Sequence, residues 1–317
     1  MDLRIFTEPQ QGASHADLLA VARAARDGGF SAFFRSDHVL AMGTPGRPGP
    51  TETFVNLGAI AALVPDIRLG TLVTSATFRH PSMTAIAAAT VDDISGGRLE
   101  LGLGTGWFEA EHLAYGLDFG GSFGARFDRL TEQLEIITGM WVTPIGETFS
   151  HTGRHYTITD SPALPKPQQA DGQGRPHLPI IIGGHGPKRT PALAARFADE
   201  FNVGFSDLDT TTTQFARVRA ASETAGRDPG SLVYSAAQVL CVGVDQAEHQ
   251  RRVTRLGGFA AMAADSACSG TVDEVTDTLG TWAAAGVQRV YLQVIDLSDL
   301  EQIALVAEQI LPAVRDL

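Results

Sequence analysis

Short apolar runs alternate along the chain with longer segments in which apolar positions recur every three or four residues. The short runs have the length of buried strands, and the longer segments have the period of amphipathic helices. In the first unit, an apolar run at residues 3–7 precedes a helix that begins with a capping-box sequence at Ser14 and ends at Gly28 and Gly29. Repeats of this unit predict an α/β fold built from consecutive parallel strands.

Eight apolar runs predict strands, at residues 3–7, 32–35, 67–73, 98–104, 179–182, 201–203, 233–242 and 289–294. Eight strands favour closure into a (β/α)8 TIM barrel, and an open parallel sheet is the alternative. Residues 143–178 show neither the strand pattern nor the helical period, and they contain a hairpin-like segment followed by three prolines. This composition indicates an insertion between two barrel units. We therefore predict a single TIM-barrel domain over residues 1–317.

The amino-acid composition disfavours several classes of binding partner. The chain has 24 Lys and Arg residues against 36 Asp and Glu residues, a formal charge of −12 that disfavours nucleic acids and anionic membranes. Cys241 and Cys268 lie far apart without neighbouring ligands, so neither a metal site nor a disulfide framework is expected. No signal-peptide pattern and no apolar stretch of about 18 residues is present. We expect a cytoplasmic enzyme with a small-molecule substrate.

Barrel enzymes carry their chemistry where strands end, so the residues that follow each strand are candidates. Asp37 and His38 follow the second predicted strand, and an imidazole there can accept or donate a proton near neutral pH. The alternative is a helix cap formed by Ser36 or Asp37 beside a solvated His38. Hydroxyl groups cluster at the end of the third strand, in residues 71–77, and offer polar contacts to a ligand ring.

Two glycine-rich strand ends are further candidates. Gly104, Thr105 and Gly106 follow the fourth strand, where missing side chains would let a ligand approach the backbone. The last glycine comes one position early for a dinucleotide fingerprint, which disfavours a Rossmann site. The second is the turn at residues 183–187, which follows the fifth predicted strand. A helix begins near Pro187 or Pro191, and Lys188 and Arg189 lie beside the turn. This turn predicts a phosphate site, and a glycine turn required only by backbone geometry is the alternative.

Taken in order, the segments 36–38, 77–81, 96–104 and 183–187 resemble those of the luciferase-like flavin and deazaflavin oxidoreductases, over almost the whole chain. Segments 6–12 and 106–112 resemble the branch described as coenzyme F420-dependent oxidoreductases. The resemblance implies a luciferase-like barrel, a homodimer, a tricyclic cofactor ring in the barrel mouth, and a non-proline cis peptide near Leu72-Val73.

The resemblance also implies roles for particular residues. Asp37 and His38 would stand near the ring edge and the substrate. The cofactor would be held by three groups of residues, which are Thr71, Leu72, Val73 and Thr74 beside the ring, Gly104, Thr105 and Gly106, and Gly183, Gly184, His185, Gly186 and Pro187 at the phosphate. Sugar-phosphate dehydrogenases of the family have an acidic Glu after the fourth strand, where this chain has Trp107. Glu109 or Glu111 could replace it, and we take Glu111, with His38, as catalytic.

These inferences together predict an oxidoreductase in which coenzyme F420 exchanges a hydride with a small organic substrate while His38 handles a proton. A basic rim beyond the glycine turn would suit the anionic tail of F420, and we expect Lys188, Arg189, Arg79 and His80 to supply it. An FMN-dependent monooxygenase of the same fold is the first alternative. A non-catalytic flavin-binding protein is the second.

Overall fold

Alternating strands and helices occupy most of the computed structural model, which describes residues 1–317. The strands are β1 (Asp2–Thr7), β2 (Ala32–Arg35), β3 (Arg68–Ser75), β4 (Leu99–Gly104), β5 (Phe149–Thr152), β6 (Thr157–Ser161), β7 (Ile180–Gly183), β8 (Glu200–Gly204), β9 (Val233–Val239), β10 (Cys241–Gly243), β11 (Ser269–Thr271) and β12 (Arg289–Val294). The helices are α1 (His15–Asp27), α2 (Thr53–Leu63), α3 (Pro81–Ser95), α4 (Glu109–Tyr115), α5 (Phe123–Val142), α6 (Arg189–Phe197), α7 (Leu208–Thr224), α8 (Gln246–Arg255), α9 (Ala260–Ala264), α10 (Val272–Ala284), α11 (Leu300–Leu305) and α12 (Leu311–Val314), with a π-helical turn at Val306–Ile310 between the last two.

Eight of these strands close into a parallel barrel in the order β1-β12-β9-β8-β7-β4-β3-β2. Strands that follow one another in the barrel are also consecutive along the chain once β5, β6, β10 and β11 are set aside. The prediction of a (β/α)8 TIM barrel is therefore confirmed, and the open sheet is excluded. None of the helices combines the length and the apolar character that crossing a membrane requires.

Both faces of the barrel strands are buried, which explains why the strands appear in the sequence as continuous apolar runs. One apolar cluster fills the space between strands and helices, and a second lies inside the barrel, with members Phe6, Ala32, Phe34, Leu72, Ile181, Ala237 and Tyr291. Each fully buried aliphatic or aromatic side chain contributes roughly 1.5–3 kcal/mol. The barrel interior is thus a packed core rather than a channel.

Charged side chains occupy the barrel interior at the amino ends of the strands, a cluster that we call the floor. Arg4 on β1 contacts Asp2 and Glu100, at 2.9 and 2.7 Å, and Arg289 on β12 contacts Asp2 at 2.7 Å and also Glu200. Burial raises the pKa of Glu100, but the positive charges of Arg4 and other arginines outweigh it and hold that pKa below its ordinary value. The floor charges are therefore paired with one another.

The insertion between α5 and β7 consists of the β5–β6 hairpin and an extended return segment. The Glu132 carboxylate on α5 accepts hydrogen bonds from the amides of Arg154, His155 and Tyr156, which fixes the hairpin tip. At the other end, the buried Asp92 carboxylate accepts from the amides of Leu99, Gln168 and Gln169. These two carboxylates hold the insertion against the barrel.

Two local features differ from the sequence-based prediction, and one agrees. Residues 233–242 were predicted as one strand, but the chain leaves the barrel at Leu240 and β10 pairs with β11 in a separate two-stranded sheet. Helix α4 was not predicted, because its seven residues are too few to establish a helical period. The Leu72-Val73 peptide is cis, as the resemblance implied.

Candidate active site

The loop after β2 brings His38 against Glu111 of α4. The His38 Nδ1 atom lies 3.0 and 3.1 Å from the two Glu111 carboxylate oxygens, and Glu111 also accepts a hydrogen bond from the Val39 amide at 3.0 Å. Because a carboxylate only accepts, Nδ1 carries the hydrogen and Nε2 remains available for another partner. The Glu111 side chain is 1% exposed, so it orients His38 from behind rather than meeting a ligand itself.

The environment of His38 changes how readily it holds a proton. Burial lowers the pKa of His38, but the hydrogen bond and charge of Glu111, with the charges of Glu8 and Asp37, outweigh burial and raise it. Burial also raises the pKa of Glu8, against smaller opposing effects from His38 and from neighbouring glutamines. Glu8 was not among the predicted site residues, although its position directly after β1 was a signal available in the sequence.

Asp37 is paired with an arginine from the next barrel unit. Its buried carboxylate forms a two-pronged ion pair with Arg79, whose guanidinium also contacts Glu52 at 2.5 Å. Asp37 therefore links the segment after β2 to the segment after β3, and its place beside the cofactor ring stays a prediction. Arg79 is bound by these two carboxylates, and its contribution to a basic rim beyond the glycine turn stays a prediction.

The two glycines at Gly102 and Gly104 in β4 and Gly106 just after it allow a neighbouring strand to come close, a role that the sequence did not reveal. A Cβ added at Gly102 would lie 2.1 Å from the Thr71 carbonyl, one at Gly104 would lie 3.0 Å from Val73, and one at Gly106 would lie 2.3 Å from the Ser75 hydroxyl. The side chains are absent so that the bulged strand β3 can approach β4. The Thr71 hydroxyl, which bonds to both backbone groups of Gly102, belongs to the same contact.

The glycine turn after β7 lines a cleft of about 80 Å³ together with Thr105 and Thr190. The backbone amides of His185, Gly186, Lys188, Arg189 and Thr190 donate to no acceptor within the chain. Free amides that converge before a nine-residue helix, with hydroxyl groups beside them, suit a phosphate group. The structure therefore brings the predicted residues Thr105 and Gly183–Gly186 together in one cleft.

Other polar atoms near the carboxyl ends of the strands are buried without partners. They are the Gln10 Nε2, Thr74 Oγ1 and Gln293 Oε1 atoms, which follow or end β1, β3 and β12. Buried donors and acceptors without partners are rare in folded proteins, because each loses its bonds to water. A polar ring edge in the barrel mouth would give these atoms partners.

Comparison with known proteins places this geometry in a family. A profile of the luciferase-like monooxygenases matches residues 1–309, nearly the whole chain. The chain belongs to this family. The match confirms the resemblance, the structure confirms the fold and the cis peptide, and the family's relatives include both F420-dependent dehydrogenases and monooxygenases.

Three similar proteins illustrate the range of the family. Pyrimidine monooxygenase RutA of Cronobacter sakazakii is 33% identical over 187 residues, 57% of this chain and 51% of that protein. The F420-dependent hydroxymycolic acid dehydrogenase of Mycobacterium tuberculosis is 31% identical over 254 residues, 78% of this chain and 64% of that protein. Among solved structures, an F420-dependent secondary alcohol dehydrogenase superposes with a TM-score of 0.83 over 99% of both chains at 18% identity.

The extent of these matches limits what they establish. The matched part spans about half to two thirds of the length of the two curated relatives, and the structural likeness at 18% identity establishes the fold alone. Membership of the luciferase-like family supports an oxidoreductase. The choice between a deazaflavin and a flavin depends on the residues of this chain.

Proposed function

We propose that the protein is a coenzyme F420-dependent oxidoreductase that moves a hydride between the deazaflavin and a small organic substrate. The observation that carries the proposal is the His38–Glu111 pair at the barrel mouth. A hydride transfer to or from a carbon that bears oxygen needs a partner for the oxygen-bound proton, and an oriented imidazole is suited to that task. Glu111 fixes its orientation.

The residues present fit a flavin-type cofactor. The free amides of the turn at Gly183–Gly186, with the hydroxyl groups of Thr105 and Thr190, would hold the phosphate. The unpartnered side-chain atoms of Gln10, Thr74 and Gln293 would bond to the polar edge of the ring. When bound, coenzyme F420 supplies a carbon centre that accepts or delivers a hydride.

The protein's own residues would handle the proton of the reaction. In the direction of alcohol oxidation, His38 Nε2 takes the proton of the substrate hydroxyl group while the carbon gives up its hydride, so the alcohol loses two electrons and becomes a carbonyl compound. Glu111 stabilises the positive charge that His38 acquires. In the reverse direction the protonated His38 returns the proton to the carbonyl oxygen.

The preference for F420 over FMN depends on the charges beyond the glycine turn. F420 continues past its phosphate into an anionic lactyl-glutamyl tail, whereas FMN ends at the phosphate. Lys188 lies directly after the turn, is exposed and forms no ion pair, whereas Arg189 is paired with Asp128 at 2.5 Å. A free ammonium at this position favours an anionic extension in a chain of net charge −12.

Titration of the apo-protein with each cofactor in moderate salt tests the proposal. We expect F420 to bind more tightly than FMN, and Lys188→Glu to weaken F420 binding severalfold while FMN binding changes less. Arg217→Glu makes the same charge change on the exposed face of α7 and is the matched control, since Arg217 has no polar partner. Saturable FMN binding with negligible F420 binding would overturn the assignment.

An FMN-dependent monooxygenase is the second candidate, and the similarity to pyrimidine monooxygenase RutA favours it. It predicts a yellow protein whose reduced cofactor is oxidised rapidly by air, whereas reduced F420 on the enzyme is expected to persist without an acceptor. A non-catalytic flavin-binding protein predicts tight binding without turnover. The implied homodimer stays a prediction, which sedimentation equilibrium of the purified protein checks.

A further inference from the structure

Helix α4 carries the partner of His38 but buries little of its own surface. Glu111 and His112 are its buried residues, and its other five residues are exposed. Glu111 bonds to His38 and to the Val39 amide. The second buried side chain, His112, is therefore the other means by which α4 is held against the barrel.

His112 is fully enclosed, and both of its ring nitrogens have partners. Its Nδ1 atom lies 2.9 Å from the Phe108 carbonyl oxygen, which only accepts, so Nδ1 carries the hydrogen. Its Nε2 atom then accepts a hydrogen bond from the Thr77 hydroxyl at 2.6 Å. The Phe78 and Phe119 rings lie 5.0 and 4.7 Å from the imidazole, between centroids. The Thr77 hydroxyl is thus the polar group that joins this imidazole to the preceding barrel unit.

The segment that carries Thr77 is itself fixed. The Ser75 hydroxyl lies 2.6 Å from the Thr77 hydroxyl and donates to it, because the Thr77 hydrogen is already given to His112. From α5, the Gln133 side chain donates to the Ala76 carbonyl at 2.5 Å. Thr77 therefore offers α4 a support whose own position is set by β3 and α5.

Three strand ends are joined pairwise, with one contact between each two of the segments that follow β2, β3 and β4. The contacts are Asp37–Arg79, Thr77–His112 and His38–Glu111. Each segment supplies two side chains that are one or two residues apart in the sequence. Because the three contacts form a closed ring, loosening one of them frees the segments that the other two connect.

We propose that Thr77 is a positioning residue for His38, which fixes α4 so that the Glu111 carboxylate stays against His38 Nδ1. Thr77 acts through His112, the neighbour of Glu111 on the helix. This inference rests on the proposed function for the reaction in which His38 takes part, whereas the positioning itself requires neither cofactor nor substrate.

The proton affinity of His38 reports whether Glu111 is in place. The carboxyl groups that act on His38 are Glu111 from α4, Glu8 after β1 and the adjacent Asp37, which is paired with Arg79. Burial lowers the pKa of His38, and the hydrogen bond and charge of Glu111 are the largest of the effects that raise it. A displaced α4 should therefore lower this pKa.

NMR titration of the histidine rings in the apo-protein measures this affinity, with His38 assigned by comparison with His38→Gln. Thr77→Val removes the hydroxyl at similar volume and is expected to lower the proton affinity of His38 roughly threefold or more. Thr77→Ser keeps the hydroxyl and should restore most of the loss. Thr90→Val is the matched control, because the Thr90 hydroxyl on the exposed face of α3 bonds to the Ile86 carbonyl of its own helix at 2.8 Å.

A double-mutant cycle separates an effect through Glu111 from a general disturbance of the mouth. In Glu111→Gln the charge is already absent, so adding Thr77→Val should change the His38 titration little further. Equal shifts with and without the Glu111 charge would overturn the proposal, as would a His38 titration that Thr77→Val leaves unmoved. If Thr77→Val does not fold, Thr77→Ala takes its place in the cycle with the same expected results.

The outcomes distinguish the positioning role from the proposed function. A His38 titration that shifts in Thr77→Val, in a protein that binds no F420, would support the positioning role and count against the proposed function. F420-dependent turnover together with an unmoved His38 titration would support the reaction and overturn the positioning role.

Discussion

The two ends of the barrel use polar side chains in opposite ways. On the floor, Arg4 and Arg289 contact the carboxylates of Asp2, Glu100 and Glu200, and these charges neutralise one another. At the mouth, His38 keeps one ring nitrogen free, and buried atoms such as Thr74 Oγ1 have no partner in the protein. Inward-facing polar side chains therefore stabilise the fold at the amino ends of the strands, whereas those at the carboxyl ends are available to ligands.

Two kinds of buried carboxyl group occur in the barrel, and the floor contains both, since burial also raises the pKa of Glu200. The pKa of Glu100 lies below its ordinary value because arginines outweigh burial, whereas the pKa of Glu8 lies above its ordinary value because burial dominates. A glutamate of the first kind stabilises the folded protein through its charge. One of the second kind resists carrying a charge, a property more often found where ligands and protons are handled.

The largest expected effect is on the free energy of unfolding, when glutamate is replaced by glutamine on the floor and at the mouth. Glu100→Gln should lower the free energy of unfolding by about 3 kcal/mol, because it removes the negative charge that pairs with buried Arg4 and with Arg68, while Asp2 remains a partner of Arg4. Glu8→Gln should change it by less than about 1 kcal/mol, since a neutral amide replaces a carboxyl group that is hard to ionise. Urea denaturation of both variants measures the difference, and equal midpoints would contradict the distinction.

The pH dependence of that difference follows from the sign of the shift. Because the folded-state pKa of Glu100 is lowered, its stabilising contribution is complete above the ordinary glutamate pKa and is lost as the pH falls below it. The wild-type protein and Glu100→Gln should therefore converge in stability in acid. A gap that stays constant down to the acid transition would show that the charge of Glu100 is not its source.

The next effect concerns turnover at the mouth. His38→Ala should reduce kcat by on the order of 10² while changing the cofactor dissociation constant much less, because the imidazole acts in the transition state. His249→Ala on α8, where the imidazole bonds to Ser269, is a control that should retain activity. Full activity of His38→Ala with a substrate in hand would remove His38 from the mechanism.

A smaller effect is expected on cofactor affinity. Gly186→Val should raise the cofactor dissociation constant about tenfold, because the new side chain would press on Thr190 and obstruct the free amides of the turn. Gly172→Val introduces the same side chain into open space within the insertion. If the two variants bind the cofactor equally well, the turn has only a structural role.

The smallest effect is a displacement of the pH profile. Glu111→Gln removes the charge that raises the pKa of His38, so that pKa should fall. Alcohol oxidation needs the neutral imidazole and therefore rises as the pH increases through this pKa, so the rise should occur at lower pH in the variant. An unmoved profile, measured as kcat against pH, would mean that another group governs proton transfer.

The order of the strands could be predicted from the sequence, because strand length is a local property. The location of the site at the strand ends follows from the same pattern and stays a prediction. The reason for the β4 glycines could not be predicted. A pattern of Gly102, Gly104 and Gly106 predicts that something approaches the backbone closely, but only the structure identifies it as the bulge of β3. The break at Leu240 was equally hidden, since the apolar run continues unchanged from the barrel into β10.

Candidate site residues could be named from the local pattern at the strand ends, but their partners, which lie far away in the chain, could not be predicted. Asp37 and His38 are adjacent in sequence, yet they bind different partners, Arg79 and Glu111. Glu8 could have been found from its position directly after β1, but its environment includes Gln293 from the last barrel strand, which no local pattern reveals. Such long-range contacts leave no trace in composition or period.

The Asp92 carboxylate has a consequence for how this scaffold can diversify. By fixing Gln168 and Gln169 beside the start of β4, it sets the point from which the chain re-enters the barrel, independently of what lies between residues 143 and 167. We expect that segments of other lengths can be exchanged there without moving the strands. The anchor therefore makes this excursion a natural site for recombination between relatives and for loop grafting in enzyme engineering.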